Sequence, residues 1–144
     1  MATTTASLSL TSVDLFDDNL SITTSNTLNK AGLTEGLDQT TGLNKTYLTA
    51  TTNVDIITVP GATKDGKQNF VYICNLSEIA SEYIVVSIGD KVIGRLYAGD
   101  FMWTPWNQQA AHLSDIEIAP SVATGMWVEY MIINEGTVIT SSAE

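Results

Sequence analysis

The sequence predicts an all-β protein of sandwich or barrel type, and three observations carry that prediction. Short runs rich in Val, Ile, Tyr and Thr recur through the chain with period-two alternation. Glycine turn signals separate them, most clearly Gly89-Asp90 and Gly99-Asp100. Helical periodicity is missing except for one turn's worth near Asp14–Asp18. Strands alternating with long helical patterns would point to an α/β fold, and none are found.

The elements follow in order. Ser7 to Val13 alternates with Leu8 and Leu10 on one face, and Leu20 to Thr24 alternates with Leu20 and Ile22. Tyr47 to Val59 is rich in Thr, Val and Ile, with Asn53 as an interruption. Residues 69–76 form a β-rich run of the kind buried on both faces. In Glu82 to Ile88 the residues Ile84, Val86 and Ile88 oppose Tyr83, Val85 and Ser87. Gly89-Asp90 suits a two-residue type II′ turn, and Lys91 to Tyr97 returns with Val92 and Leu96 on one face. After Gly99-Asp100 comes a strand over Phe101 to Trp106; Pro105 cannot donate to a ladder, so this strand ends there or lies at an edge. Leu113 to Ala119, Met126 to Ile133 and a weaker Thr137 to Thr140 complete the series.

Apolar density divides the chain. Residues 1–45 are dominated by Thr, Ser, Asn, Leu and Gly and read as an extended N-terminal arm with short strands; residues 46–144 read as the packed domain. A chain of 144 residues buries roughly two-thirds of its unfolded surface, enough for one core. Cys74 is the single cysteine, so no disulfide forms within the chain. The first ten residues carry no basic stretch before an apolar run, so no secretory leader is expected. No apolar segment approaches the ~20 residues a membrane-spanning helix needs.

Sixteen acidic residues against six basic ones give a net charge of −10 and a pI near 4.2. Duplex nucleic acid is held by neutralising its phosphates, and anionic membrane surfaces also favour cations. Neither is therefore an expected partner. The charge also serves solubility alone.

A search for chemistry returns mostly negatives. His112 is the only histidine, and Cys74 lies in a β-rich run, Tyr72-Ile73-Cys74-Asn75-Leu76. Nucleophilic catalysis wants a nucleophile beside an oriented base, and buried cysteines in apolar surroundings are inert. One Cys and one His cannot make a structural zinc site within one chain. Asp14, Asp17 and Asp18 lack the glycine and the final glutamate of a calcium loop and read as a solvated acidic turn or as helix N-terminal acids. The glycines are scattered through turns rather than gathered into a phosphate loop, and the glycosylation triplets at Asn19, Asn44 and Asn75 mean little without a leader. No catalytic residue, metal or cofactor is expected.

One constellation stands out: Phe101, Met102, Trp103, Pro105 and Trp106, with Trp127 later. Consecutive large residues suit a strand buried between two layers, or a subunit contact, where Trp, Phe and Met are enriched. Leu8, Leu10, Phe16, Leu20, Ile22, Phe101, Trp103, Trp106 and Trp127 are the expected contact residues.

The runs Val71–Leu76, Tyr83–Ile88, Ile93–Trp106 and Val128–Ile133 together resemble the small β-sandwich virion proteins of tailed bacteriophages, notably those of marine and cyanobacterial phages. The shared plan is a strand ending in Asn, a strand, a hairpin, a Gly-Asp-aromatic turn and a Pro. It covers residues 70–133, and its motifs are architectural rather than catalytic. The resemblance implies a jelly-roll-like sandwich that forms a homo-oligomer, with a trimer favoured. It implies a decoration or cement role on the major capsid protein shell, with the N-terminal arm lying on a neighbour. The protein would be made in the host cytoplasm and end in the virion. Alternatives from the same source are a tail or neck component, or a tail-associated receptor- or carbohydrate-binding module with exposed Trp rings. A small β-fold enzyme is the remaining rival.

Overall fold

The computed structural model describes residues 3–15, 17–58, 67–107 and 115–135. Eleven strands run along them: β1 (Thr5–Ser12), β2 (Leu20–Thr27), β3 (Gln39–Thr40), β4 (Asn44–Leu48), β5 (Val54–Ile57), β6 (Asn69–Asn75), β7 (Tyr83–Ile88), β8 (Lys91–Tyr97), β9 (Phe101–Pro105), β10 (Ile116–Pro120) and β11 (Met126–Asn134). No helix occurs among the described residues. The protein is all-β, as the alternation predicts.

The strand pairs nest. β7 pairs β8, β6 pairs β9, β5 pairs β10 and β4 pairs β11, all antiparallel. Strands β4 to β11 thus nest like one long antiparallel double strand, closed at its inner end by the Gly89-Asp90 turn. It is folded over so that successive pairs fall in different sheets. Pairing of β11 with β6 and of β10 with β7 then closes each sheet. The smaller sheet has the order β5-β10-β7-β8; in the larger, β9 lies beside β6, β6 beside β11, and β3 and β4 share the far side of β11.

One hydrophobic cluster lies between the two sheets. The larger sheet gives it Leu48, Val71, Ile73, Met126, Val128 and Ile132; the smaller gives Ile57, Ile84, Val86, Ile116 and Ile118. Each fully buried aliphatic side chain here contributes roughly 1.5–3 kcal/mol. Alternation is strict on β6, where Asn69, Val71, Ile73 and Asn75 are buried and the residues between them half-buried. This run is therefore covered fully on one side only, not on both as its composition suggested.

Two further expectations are corrected by local geometry. A bulge between Val86 and Ser87 on the β7–β8 ladder sets Gly94 opposite Val86 and Val92 opposite Ser87. Val92 is thereby turned away from Leu96's face and is 67% exposed. The acidic segment near Asp14–Asp18 is a bend, not a helical turn: Ser12 Oγ donates to Asp14 and accepts from the N–H of Leu15. The expected strand over Leu113–Ala119 begins at Ile116, and that over 137–140 lies outside the described residues.

Within the first 45 residues the expected strands form a ribbon. β1 and β2 pair over eight positions, from Thr5 opposite Thr27 to Ser12 opposite Leu20. The segment after it is anchored by buried Leu28 and Leu37, by ion pairs of Lys30 with Glu35 and Asp38, and by Glu135. Glu135 Oε2 accepts N–H bonds from Ala31 and Gln68, each at 2.9 Å.

Candidate interaction surface

The outward face of the larger sheet is built by the same alternation that fills the core. Odd positions on β9 and β11 point out, and the ladders align them with β6 and β4. One cross-strand row runs Lys45, Glu129, Cys74, Phe101; the next runs Met131, Tyr72, Trp103. Phe70 and Trp103 stack with centroids 5.2 Å apart and planes 4° from parallel. Tyr47 and Trp127 meet at 5.0 Å and 50°. The result is a nearly continuous apolar and aromatic sheet face, with Phe101 62% and Trp127 50% exposed.

Two polar details sit inside it. Tyr72 donates its hydroxyl to Glu129 Oε1 at 3.2 Å; burial, with Cys74 and Glu129 beside it, pushes the phenol up from its ordinary value. Lys45 makes no ion pair among the described residues.

The ribbon stands over part of this face. The register gives it two unlike sides. Thr5, Ser7, Ser9 and Thr11 pair with Thr27, Ser25, Thr23 and Ser21, so one side is made only of hydroxyl residues. The other carries Ala6, Leu8, Leu10 and Ser12 opposite Asn26, Thr24, Ile22 and Leu20. Between ribbon and sheet lies an apolar cleft of about 610 Å³, lined by Leu8 and Leu28 above and by Tyr72, Trp103, Met131 and Ile133 below. Leu10, Leu20 and Ile22 lie beyond it, and Leu10 and Ile22 are 49% and 44% exposed.

The expected contact residues thus divide. Leu8, Phe101 and Trp103 come together at the cleft, Trp127 lies on the same sheet face, and Leu10, Leu20 and Ile22 continue the ribbon's apolar side. Trp106 does not belong with them: it is 4% exposed, packs in the core, and donates its backbone N–H to the Asn69 carbonyl. The parity of the strand explains this, since Trp106 shares the inward side of Met102 while Trp103 faces out. Phe16 lies outside the described residues, as does His112. Residue composition did not single out Tyr47, Lys45, Phe70, Tyr72, Met131 or Ile133. The alternation of Trp127, Glu129, Met131 and Ile133 was the available signal, but which side faced solvent depends on the second sheet.

The other sheet's outer side differs in chemistry. Arg95 lies 4.3 Å above the Tyr83 ring, and the Glu117 carboxyl is pushed up by burial and by Asp55, Asp90 and Asp115. Among the described residues no group of three or more His, Cys, Asp and Glu side chains is placed to hold a metal ion. Compared with known proteins, the chain matches no protein-family model and no curated protein sequence.

Proposed function

We propose that this protein is a non-enzymatic structural subunit that works by burying the aromatic face of its larger sheet against other subunits of an assembly. The carrying observation is that face: large apolar side chains contiguous across three strands and left in solvent, a feature that marks interaction sites on soluble proteins. Its centre has the composition of an interface core, with Trp, Tyr, Phe and Met and few charges.

In line with the resemblance, the assembly is a tailed-phage virion and the protein is a decoration or cement unit of the capsid shell. The sandwich is then a jelly roll. Supporting this are the nested pairs β4–β11, β5–β10, β6–β9 and β7–β8, which are what wrapping one long hairpin into two sheets produces. A cement unit adds cohesion by covering apolar and main-chain surface at junctions between capsomers and needs no active site. The test incubates purified protein with particles lacking it. Saturable binding at a symmetry-related copy number, with a raised rupture temperature, is expected; particles whose mass and rupture temperature do not change overturn the cement role.

A second reading has its own observation. Trp127 is half exposed beside Tyr47, with Lys45 and Glu129 within the next cross-strand row. Flat aromatic rings flanked by polar groups suit sugar faces, so a tail-borne carbohydrate-binding module is the alternative. Retention on host cells or their glycans, lost in Trp127→Ala, would favour it.

A further inference from the structure

We infer that the partner which covers the distal apolar side of the β1–β2 ribbon is a second copy of this chain, docked through its exposed sheet face around Phe101 and Trp127. The inference rests on the assembly reading above and names the contact it would use.

The ribbon's own energetics demand a cover. A two-stranded ribbon is marginal in water unless an apolar face is packed. Here the proximal part faces its own sheet, with Leu8 and Leu28 across the cleft from Tyr72 and Trp103. The distal part, Leu10 and Ile22 directly opposite one another, has the same chemistry on the same side but lies past the cleft. The apolar side of the ribbon therefore outruns the surface its own sheet provides. On that sheet, in turn, Trp127 lies outside the cleft and is 50% exposed, and Phe101, which lines the cleft, is still 62% exposed.

Charge points the same way. The bend that closes the ribbon carries Asp14, Asp17 and Asp18, all exposed. The open side of the sheet carries Lys45, which has no ion pair among the described residues and sits one row from Trp127. A ribbon laid from one copy across the next brings an acidic tip toward Lys45, with aliphatic side chains over aromatic rings behind it. The hydroxyl side of the ribbon then faces water, which suits Thr and Ser.

Such a contact joins two different surfaces, ribbon to face, so it repeats head to tail, and it forms a ring where the rotation between copies closes. That geometry gives a test that ribbon-to-ribbon pairing would fail. Ile22→Asp removes the apolar ribbon side and leaves the face intact; Trp127→Asp does the reverse. Each full-length variant alone should sediment as a monomer, while wild type sediments as a closed oligomer. Thr23→Asp, on the hydroxyl side, should leave the oligomer unchanged. Mixing the two monomeric variants should restore one good junction and yield a heterodimer, at least tenfold tighter than either variant's self-association. Far-ultraviolet circular dichroism matching that of wild type, with a cooperative thermal transition, shows that both variants are folded; if either loses it, Leu10→Ser and Phe101→Ser replace them in the same mixing test.

A wild-type monomer, or a mixture that stays monomeric, overturns the inference. The outcome separates from that of the particle-binding test. A monomer that still coats particles ends this inference and leaves the assembly role standing, whereas a ring that coats nothing does the opposite.

Discussion

The side-chain amide of Asn75 donates to the carbonyl of Leu96 at 2.9 Å, and that one bond ties the end of β6 in the larger sheet to the end of β8 in the smaller. Around it the chain turns a corner. Asn75 Oδ1 accepts from the N–H of Ser77, its N–H donates to Asp100 O, and its carbonyl accepts from Gly99. Asn75 is fully buried. Its polar groups are spent on the loop by which the chain leaves one sheet for the other.

Asn75→Ala should therefore destabilise far more than a truncation of its size suggests. It strands the Leu96 carbonyl and the Ser77 N–H in a buried corner, at about 1–3 kcal/mol for each unsatisfied group. Urea unfolding should show a loss of about 2–6 kcal/mol, summed from those two groups. A loss under about 1 kcal/mol would mean that water replaces the amide and the corner is held by its backbone bonds alone.

Glu135 offers a pH test. Burial pushes its carboxyl up, but the N–H groups of Ala31 and Gln68, with Lys67 and Lys30, outweigh that and hold it below the usual carboxylate value. A depressed folded-state pKa adds stability above the unfolded value, about 4.3 for Glu. That stability is lost as pH falls through the folded value. Glu135→Gln should cost about 1–3 kcal/mol at pH 7, and the gap from wild type should shrink as pH falls below about 4. A gap independent of pH would show that the oxygen's geometry, not its charge, anchors the Ala31 segment.

The two tryptophans on opposite sides of the larger sheet should respond differently to truncation. Trp106→Ala opens the core and is expected to cost about 3–5 kcal/mol. Trp127→Ala removes a half-exposed ring and, compared in the monomeric Ile22→Asp background, should change stability by no more than about 1 kcal/mol. Thermal unfolding measures both, and comparable losses would place Trp127 among the groups that hold the fold.

Much of this division was legible in the residues. The alternation on β7 and β11 separated their two faces without saying which one turned inward, residues 69–76 read as buried on both faces, and Pro105 limited β9 to an edge or to ending there. The parity of residues 102–106 would also have separated Trp103 from Trp106, had the run been read as alternating rather than buried on both sides. What the residues do not state is partnership. Period two says which side of a strand is apolar, but not that β4 finds β11 across some eighty intervening residues. The ribbon illustrates this most sharply. Leu8, Leu10, Leu20 and Ile22 were visible as contact candidates, yet the all-hydroxyl opposite side appears only once Ser9 is set against Thr23.

The bulge on β8 makes a testable pair from one such failure. Simple alternation puts Val92 and Leu96 on the same side, but the extra residue turns Val92 to solvent while Leu96 packs against the core. Leu96→Ala should cost about 2 kcal/mol or more. Val92→Ala should change stability by less than about 0.5 kcal/mol. Equal losses would mean that β8 pairs in the unbulged register.

Gly125 tests the support beneath the aromatic face. Its φ of +114° is one that a side chain rarely adopts, and a Cβ there would run into the Tyr47 ring. That ring donates its hydroxyl to the Thr124 carbonyl at 3.1 Å and packs on Trp127. Gly125→Ala should thus combine backbone strain of about 1–3 kcal/mol with displacement of Tyr47, seen as a change in Trp127 fluorescence. Gly94→Ala is the control, because no atom lies within 4 Å of a Cβ at that position; it should lose no stability. If Gly125→Ala lowers the melting temperature but leaves the fluorescence untouched, Tyr47 swings back to Trp127 and the strain is all in the backbone. If neither changes, the turn between β10 and β11 relaxes to a conformation that alanine accepts, and Tyr47 is not held by the Thr124 carbonyl.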